Sequence, residues 1–128
     1  MTHGLPLVLI VDDSERNRRL ARDVLRVAGF RTIEAATAIA AIGLASEHLP
    51  DVILMDLRLP DLDGTEATRR LRNEPRTLHI PVVAVSAVGF DPREAWLLEA
   101  GFAGSIVKPF DVTEFPDLVR GFCERRST

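Results

Sequence analysis

The sequence predicts an α/β fold, a parallel sheet with helices on both faces. Three observations carry that reading. Short apolar runs recur along the chain, each stopping at a polar or charged residue. Segments with helical periodicity stand between them. The connections are too long for hairpins and of the length that crossover helices need.

The first strand is Leu7 to Val11, a continuous apolar run of the kind buried on both faces. From Ser14 the period changes, and Leu20, Val24, Val27 and Ala28 mark one helical stripe while Arg16, Arg18, Arg19 and Arg22 can face water. Gly29 stops that helix. Arg31 to Ala35 alternates polar and apolar residues, as an edge strand does. Ala38, Ala41, Ile42 and Ala45 mark the second helix, which ends by Pro50.

Val52 to Met55 is the third strand and stops at Asp56. Leu57 to Gly64 is a loop, with Asp61 and Asp63 as loop or cap residues and Gly64 supplying a backbone conformation that other residues resist. Thr65 to Arg72 is a short helix. Pro81 opens the fourth strand, Val82 to Val85, which ends at Ser86. Asp91-Pro92-Arg93-Glu94 is a capping box with a proline at the first helical position. Ala103 to Val107 is the last strand and stops at Lys108. Phe115, Leu118, Val119 and Phe122 then recur at helical spacing. Pro116 is tolerated only in the first turn, which puts the start of this helix near Thr113.

Bulk properties exclude several classes. The chain has 128 residues, the size of one domain, and 46% of them are hydrophobic, enough for a core. A net charge of −3 argues against a sequence-independent nucleic-acid binder. The single cysteine, Cys123, excludes an internal disulfide and fits a reducing cytoplasm. No leader opens the chain and no apolar run approaches a membrane span. His3, His48 and His79 share no spacing with one another or with Cys123, so surface or loop roles are expected of them.

The chemistry lies at the strand ends. Asp12 and Asp13 follow the first strand, Asp56 ends the third, Ser86 the fourth and Lys108 the fifth. Parallel strands bring these residues to one edge of the sheet, where open α/β folds bind ligands. With strand order 2-1-3-4-5, Asp12, Asp13 and Asp56 stand within a few ångströms of one another. Clustered carboxylates need a counter-charge, and a hard divalent cation such as Mg²⁺ supplies one. The loop after Asp56 offers a backbone carbonyl, with Arg58 the expected donor. Lys108 and Ser86 add a cation and a hydroxyl suited to an oxyanion. The set as a whole fits a phosphoryl group.

These residues fall in four motifs: VDDS at 11–14, LMDLRLPDLDG at 54–64, VSA at 85–87 and VKPF at 107–110. In them the chain resembles the response-regulator receiver domains of two-component signalling, from the first strand to the last helix. The resemblance implies a (βα)5 flavodoxin-like receiver fold and a single receiver domain over 1–128, its core about 5–125, with no output domain. It implies that Asp56 accepts a phosphoryl group from a phosphohistidine. Asp12, Asp13, Asp56 and the Arg58 carbonyl would hold Mg²⁺, with Mn²⁺ able to stand in. Ser86 and Lys108 would contact phosphoryl oxygens, and the Lys108–Pro109 bond would be cis. The implied partners are a histidine kinase or histidine phosphotransfer protein and a downstream protein. The implied action is phosphoacceptance rather than turnover of an external substrate. A receiver fragment of a hybrid kinase and a phosphate sink without output are the variants of this reading.

One position departs from the family pattern. Many receivers carry an aromatic switch residue three positions before the lysine; here it is Ser105. Phe102 precedes the strand and is not taken to substitute. Trp96 and Leu98 belong to an apolar run in the helix opened by Asp91, and they are candidates for a partner-binding patch. Two other classes fit poorly. An aspartyl-phosphate phosphatase of the haloacid-dehalogenase type needs D-x-D-x-T/V, which Asp12-Asp13-Ser14-Glu15-Arg16 does not supply. A flavin binder needs a phosphate loop where the two acids would repel the phosphate.

Overall fold

The computed structural model describes residues 4–86, 99–108 and 111–127. Its elements are β1 (Leu7–Val11), α1 (Glu15–Val27), β2 (Arg31–Ala35), α2 (Ala38–His48), β3 (Val52–Asp56), α3 (Gly64–Arg72), β4 (Val82–Ser86), β5 (Gly104–Val107) and α4 (Phe115–Ser127). All strand pairs are parallel, and the sheet order is β2-β1-β3-β4-β5. That is the order expected from the sequence. The capping box at Asp91–Glu94, with Trp96 and Leu98 beyond it, lies outside the described residues. So do His3, Pro109 and the Ser86 side chain.

Strand residues alternate between two cores because side chains on a strand point to opposite faces. Leu9, Val11, Ile53, Met55, Val82 and Ala84 pack with Ala38, Ala41 and Ala45 of α2 and with Ala67 and Leu71 of α3. Val8, Ile10, Val52, Leu54, Val83 and Val85 pack on the other side with Ala21 and Leu25 of α1 and with Phe115 and Val119 of α4. The three central strands are therefore apolar at nearly every position. Edge strand β2 is only partly covered.

Helix boundaries follow local chemistry. Ser14 caps α1 by accepting the Asn17 N–H, and Thr37 caps α2 by accepting that of Ala40. Asp63 caps α3 through the Thr65 N–H. Gly29, at φ 98°, carries the chain out of α1. α4 begins at Phe115, after a turn in which Asp111 accepts from Thr113, so Pro116 does sit in the first helical turn.

Four expectations are corrected. The buried stripe of α1 is Ala21 and Leu25, flanked by Val24 and Ala28, whereas Leu20 and Val27 are exposed. Arg18 is only partly exposed: its side chain folds back to the Asp12 carbonyl after β1 and to Glu34 of β2. On α4, Leu118 is exposed while Phe115 and Val119 carry the packing. Gly64 is required for a different reason than its backbone angles, since its φ is not positive. An added Cβ would lie 2.8 Å from the Asp56 carbonyl oxygen and 3.0 Å from the Leu57 Cα.

Candidate functional site

β1 and β3 are neighbours, and their register pairs Val11 with Met55. The residues that follow this pair, Asp12 and Asp56, therefore emerge side by side at the carboxyl edge of the sheet. Asp12 and Asp56 are buried and Asp13 is exposed. One carboxylate oxygen from each lies within 4.8 Å of the others. This grouping of acids is the one expected from the strand ends.

Lys108 follows β5 and reaches across the edge into the cluster. Its Nζ donates to Asp12 Oδ2 at 2.6 Å and to Asp56 Oδ2 at 3.4 Å. A cation thus already stands between two of the acids, and it comes from the chain itself. Burial works against the ammonium, but its hydrogen bond to Asp12 and the charges of Asp56 and Asp12 outweigh it. The Lys108 pKa is raised above its ordinary value.

Asp56 also accepts the Arg58 N–H at Oδ1, 3.0 Å away. Burial is the largest influence on this carboxyl and pushes its pKa up. The Arg58 N–H and Lys108 pull the other way, the Asp12 charge adds to the rise, and the net direction is upward. A raised pKa makes the carboxylate more basic and leaves it a better nucleophile once ionised.

The loop after Asp56 is pinned at both ends. The Gly64 N–H donates to the Leu57 carbonyl at 3.1 Å. Asp61 accepts the Ala38 and Ile39 N–H groups, each at 2.9 Å, and so caps α2 from a different part of the chain. Asp61 and Asp63 are cap residues, as expected, and stand outside the acid cluster. These anchors fix the backbone around Arg58, whose own side chain is exposed.

The structure adds Arg18, which periodicity had assigned to solvent. Its Nη1 donates to the Asp12 carbonyl at 2.6 Å and its Nε to Glu34 at 3.3 Å. The register pairing Ile10 with Glu34 is the only signal that would have found it, and that register is not visible in local sequence. At the departing position, Ser105 lies exposed in β5 opposite Ala84. Phe102 is 3% exposed and packed in the α2–α3 core, so it does not take the place of an aromatic at Ser105. Ser86 ends β4 opposite Val107.

The donor set is wholly hard oxygen, which suits Mg²⁺ and gives no reason to expect a softer metal. Among the described residues no helix is long and apolar enough to cross a membrane.

Comparison with known proteins agrees with this geometry. Residues 8–120 match the family model described as the response regulator receiver domain. The chain is 37% identical over 115 residues to the polar-differentiation response regulator DivK of Brucella ovis, covering 90% of this chain and 94% of that one. It superposes with a TM-score of 0.84 and 31% identity on the receiver domain of a sensor histidine kinase from Pseudomonas aeruginosa, covering 94% and 98% of the two chains. That structure has a magnesium ion coordinated in its active site cleft. The chemotaxis protein CheY4 of Vibrio cholerae shares the fold at a TM-score of 0.85 and 24% identity, covering 92% and 98%. On the family match and the identity, this chain belongs to the response regulator receiver domain family.

Proposed function

We propose that this chain accepts a phosphoryl group on Asp56 in a Mg²⁺-dependent reaction, and that the phosphorylated form presents a changed surface to a downstream protein. The observation that carries the reading is the grouping of Asp12, Asp13 and Asp56 around Lys108 at one sheet edge. Receiver domains of response regulators interact with histidine kinases and with downstream effectors, so the donor is a phosphohistidine of a kinase or phosphotransfer protein.

Asp56 is the nucleophile. One of its carboxylate oxygens forms the new P–O bond as the P–N bond of phosphohistidine breaks, and the electron pair of that bond leaves on the imidazole nitrogen. Asp12, Asp13 and Asp56, with the Arg58 carbonyl, would hold the cation, and Mn²⁺ has the same ligand preference. Bound Mg²⁺ supplies positive charge to the phosphoryl oxygens. Lys108 exchanges a carboxylate for a phosphoryl oxygen, and Ser86 offers a hydroxyl to another. The Arg58 N–H keeps Asp56 oriented. Catalysis is then positioning and charge neutralisation, with no turnover of an external substrate.

Ser105 supports a second reading, a phosphate sink in which no aromatic residue relays the state of the site. Beryllofluoride, a stable mimic of the phosphoryl group, tests the acceptor reading. Added with Mg²⁺, it should shift the amide NMR signals around Asp56, Asp12 and Lys108 in the wild type and not in Asp56→Asn. Equal shifts in both proteins would contradict the role of Asp56.

A further inference from the structure

Asp12 is held at every polar atom. Its N–H donates to the Ala35 carbonyl at 3.1 Å, continuing the sheet. Its Oδ1 accepts the Ser14 N–H at 2.9 Å and its Oδ2 the Lys108 ammonium. Its carbonyl lies beyond the last residue of β1 and before the cap of α1, so neither element provides it a donor. Arg18, one turn inside α1, reaches back and supplies one at 2.6 Å.

Arg18 is itself braced. Its Nε donates to Glu34 Oε1 on β2, and Glu34 Oε2 accepts from Arg22 Nη1 at 3.4 Å. The Arg18 side chain is 16% exposed and that of Glu34 27%. A planar guanidinium with several fixed donors suits two acceptors at once, which a lysine cannot match.

We infer that Arg18 is a positioning residue for the divalent-cation site. By fixing the Asp12 carbonyl it fixes the turn from β1 into α1, and with it the directions of the Asp12 and Asp13 carboxylates. Glu34 serves a second purpose. An unbalanced cation beside the acids would oppose Mg²⁺, and Glu34 offsets the charge of Arg18, leaving its geometry without its field. The inference rests on the proposal above that these acids bind a divalent cation.

Charge and geometry predict opposite signs, which makes the test decisive. Removing Arg18 deletes one positive charge and leaves Glu34 paired with Arg22 alone, and that change strengthens attraction for Mg²⁺. Any weakening must therefore come from lost geometry. Mg²⁺ alone is titrated calorimetrically into the full chain as wild type, Arg18→Met, Arg18→Lys and Arg19→Met, with melting curves taken in chelator. Arg19→Met removes the same charge from the same helix at a residue that, among the described residues, pairs with exposed Glu15.

Arg18→Met should weaken Mg²⁺ binding by about tenfold, the lower end for residues that orient metal ligands. Arg18→Lys should fall between it and wild type, and Arg19→Met should match wild type. If Arg18→Met does not fold, Arg18→Lys carries the test, because it keeps the charge and the aliphatic stem. Wild type that binds Mg²⁺ while the Arg18 variants bind as tightly or more tightly overturns the role of Arg18 alone. Wild type that shows no saturable Mg²⁺ binding overturns the cation reading and this inference with it.

Discussion

Gly64 sits so close to Asp56 that a Cβ on it would stand 2.8 Å from the Asp56 carbonyl oxygen. The start of α3 is therefore packed against the backbone of the candidate phosphoacceptor. Gly64→Ala must push one away from the other, since a backbone atom cannot swing aside as a side chain can. Stability should fall by about 1–3 kcal/mol, as for overpacked cores, and Mg²⁺-dependent labelling of Asp56 should slow. Chemical denaturation and a labelling time course check the two effects.

Burial raises the Asp56 pKa above its ordinary value. The folded protein then binds this proton more tightly than the unfolded chain, so stability falls as pH rises through the unfolded and then the folded pKa. At neutral pH the ionised carboxylate opposes folding. In chelator, Asp56→Asn should melt higher than wild type at pH 7. The gap should close as pH falls below about 4, the ordinary aspartate range. Melting curves across that pH series measure it, and a gap that does not change with pH would contradict the account.

Lys108 neutralises Asp12 and Asp56 from within the chain. Lys108→Met strands two buried carboxylates and should cost roughly 2 kcal/mol in chelator, between the values for exposed and fully buried pairs. The same change removes a cation that competes with Mg²⁺. Added Mg²⁺ should therefore raise the melting temperature of Lys108→Met more than that of wild type. Labelling should nonetheless fall, because the donor proposed for the phosphoryl oxygens is gone.

Asp61 holds the loop after Asp56 to the start of α2. The Ile39 N–H is the main cause of its lowered pKa; burial opposes the shift, and the Ala38 N–H adds to it. A lowered folded pKa means stability that is present above the ordinary aspartate pKa and lost as pH falls through the folded one. Asp61→Asn should melt lower than wild type at pH 7, with the difference shrinking in acid below pH 4 or so. Melting curves at neutral and acid pH make the comparison.

Most of the fold was legible because the buried strands are written as short apolar runs that stop at polar residues. Val8 to Val11, Val52 to Met55 and Val82 to Val85 need no partner to be recognised. The acids and Lys108 were legible for the same reason, since each ends a strand and parallel strands end together. What was hidden depends on contacts between distant segments. In α1 the larger Leu20 and Val27 outweigh Ala21 in a hydrophobic pattern, yet Ala21 is the residue that fits against the sheet. Arg18 reads as a solvated arginine until β2 places Glu34 beside it. Gly64 announces a special position, but only the structure shows that the constraint is close approach rather than a left-handed backbone.

The central claim is that Asp56 takes up a phosphoryl group with help from a divalent cation. The most direct measurement is an intact mass after incubation with acetyl phosphate and Mg²⁺, beside Asp56→Asn and a chelated control. The wild type should gain the mass of one phosphoryl group, and neither control should gain any. Added mass that persists in Asp56→Asn would contradict the assignment of the acceptor, and added mass that persists in chelator would contradict the role of the metal.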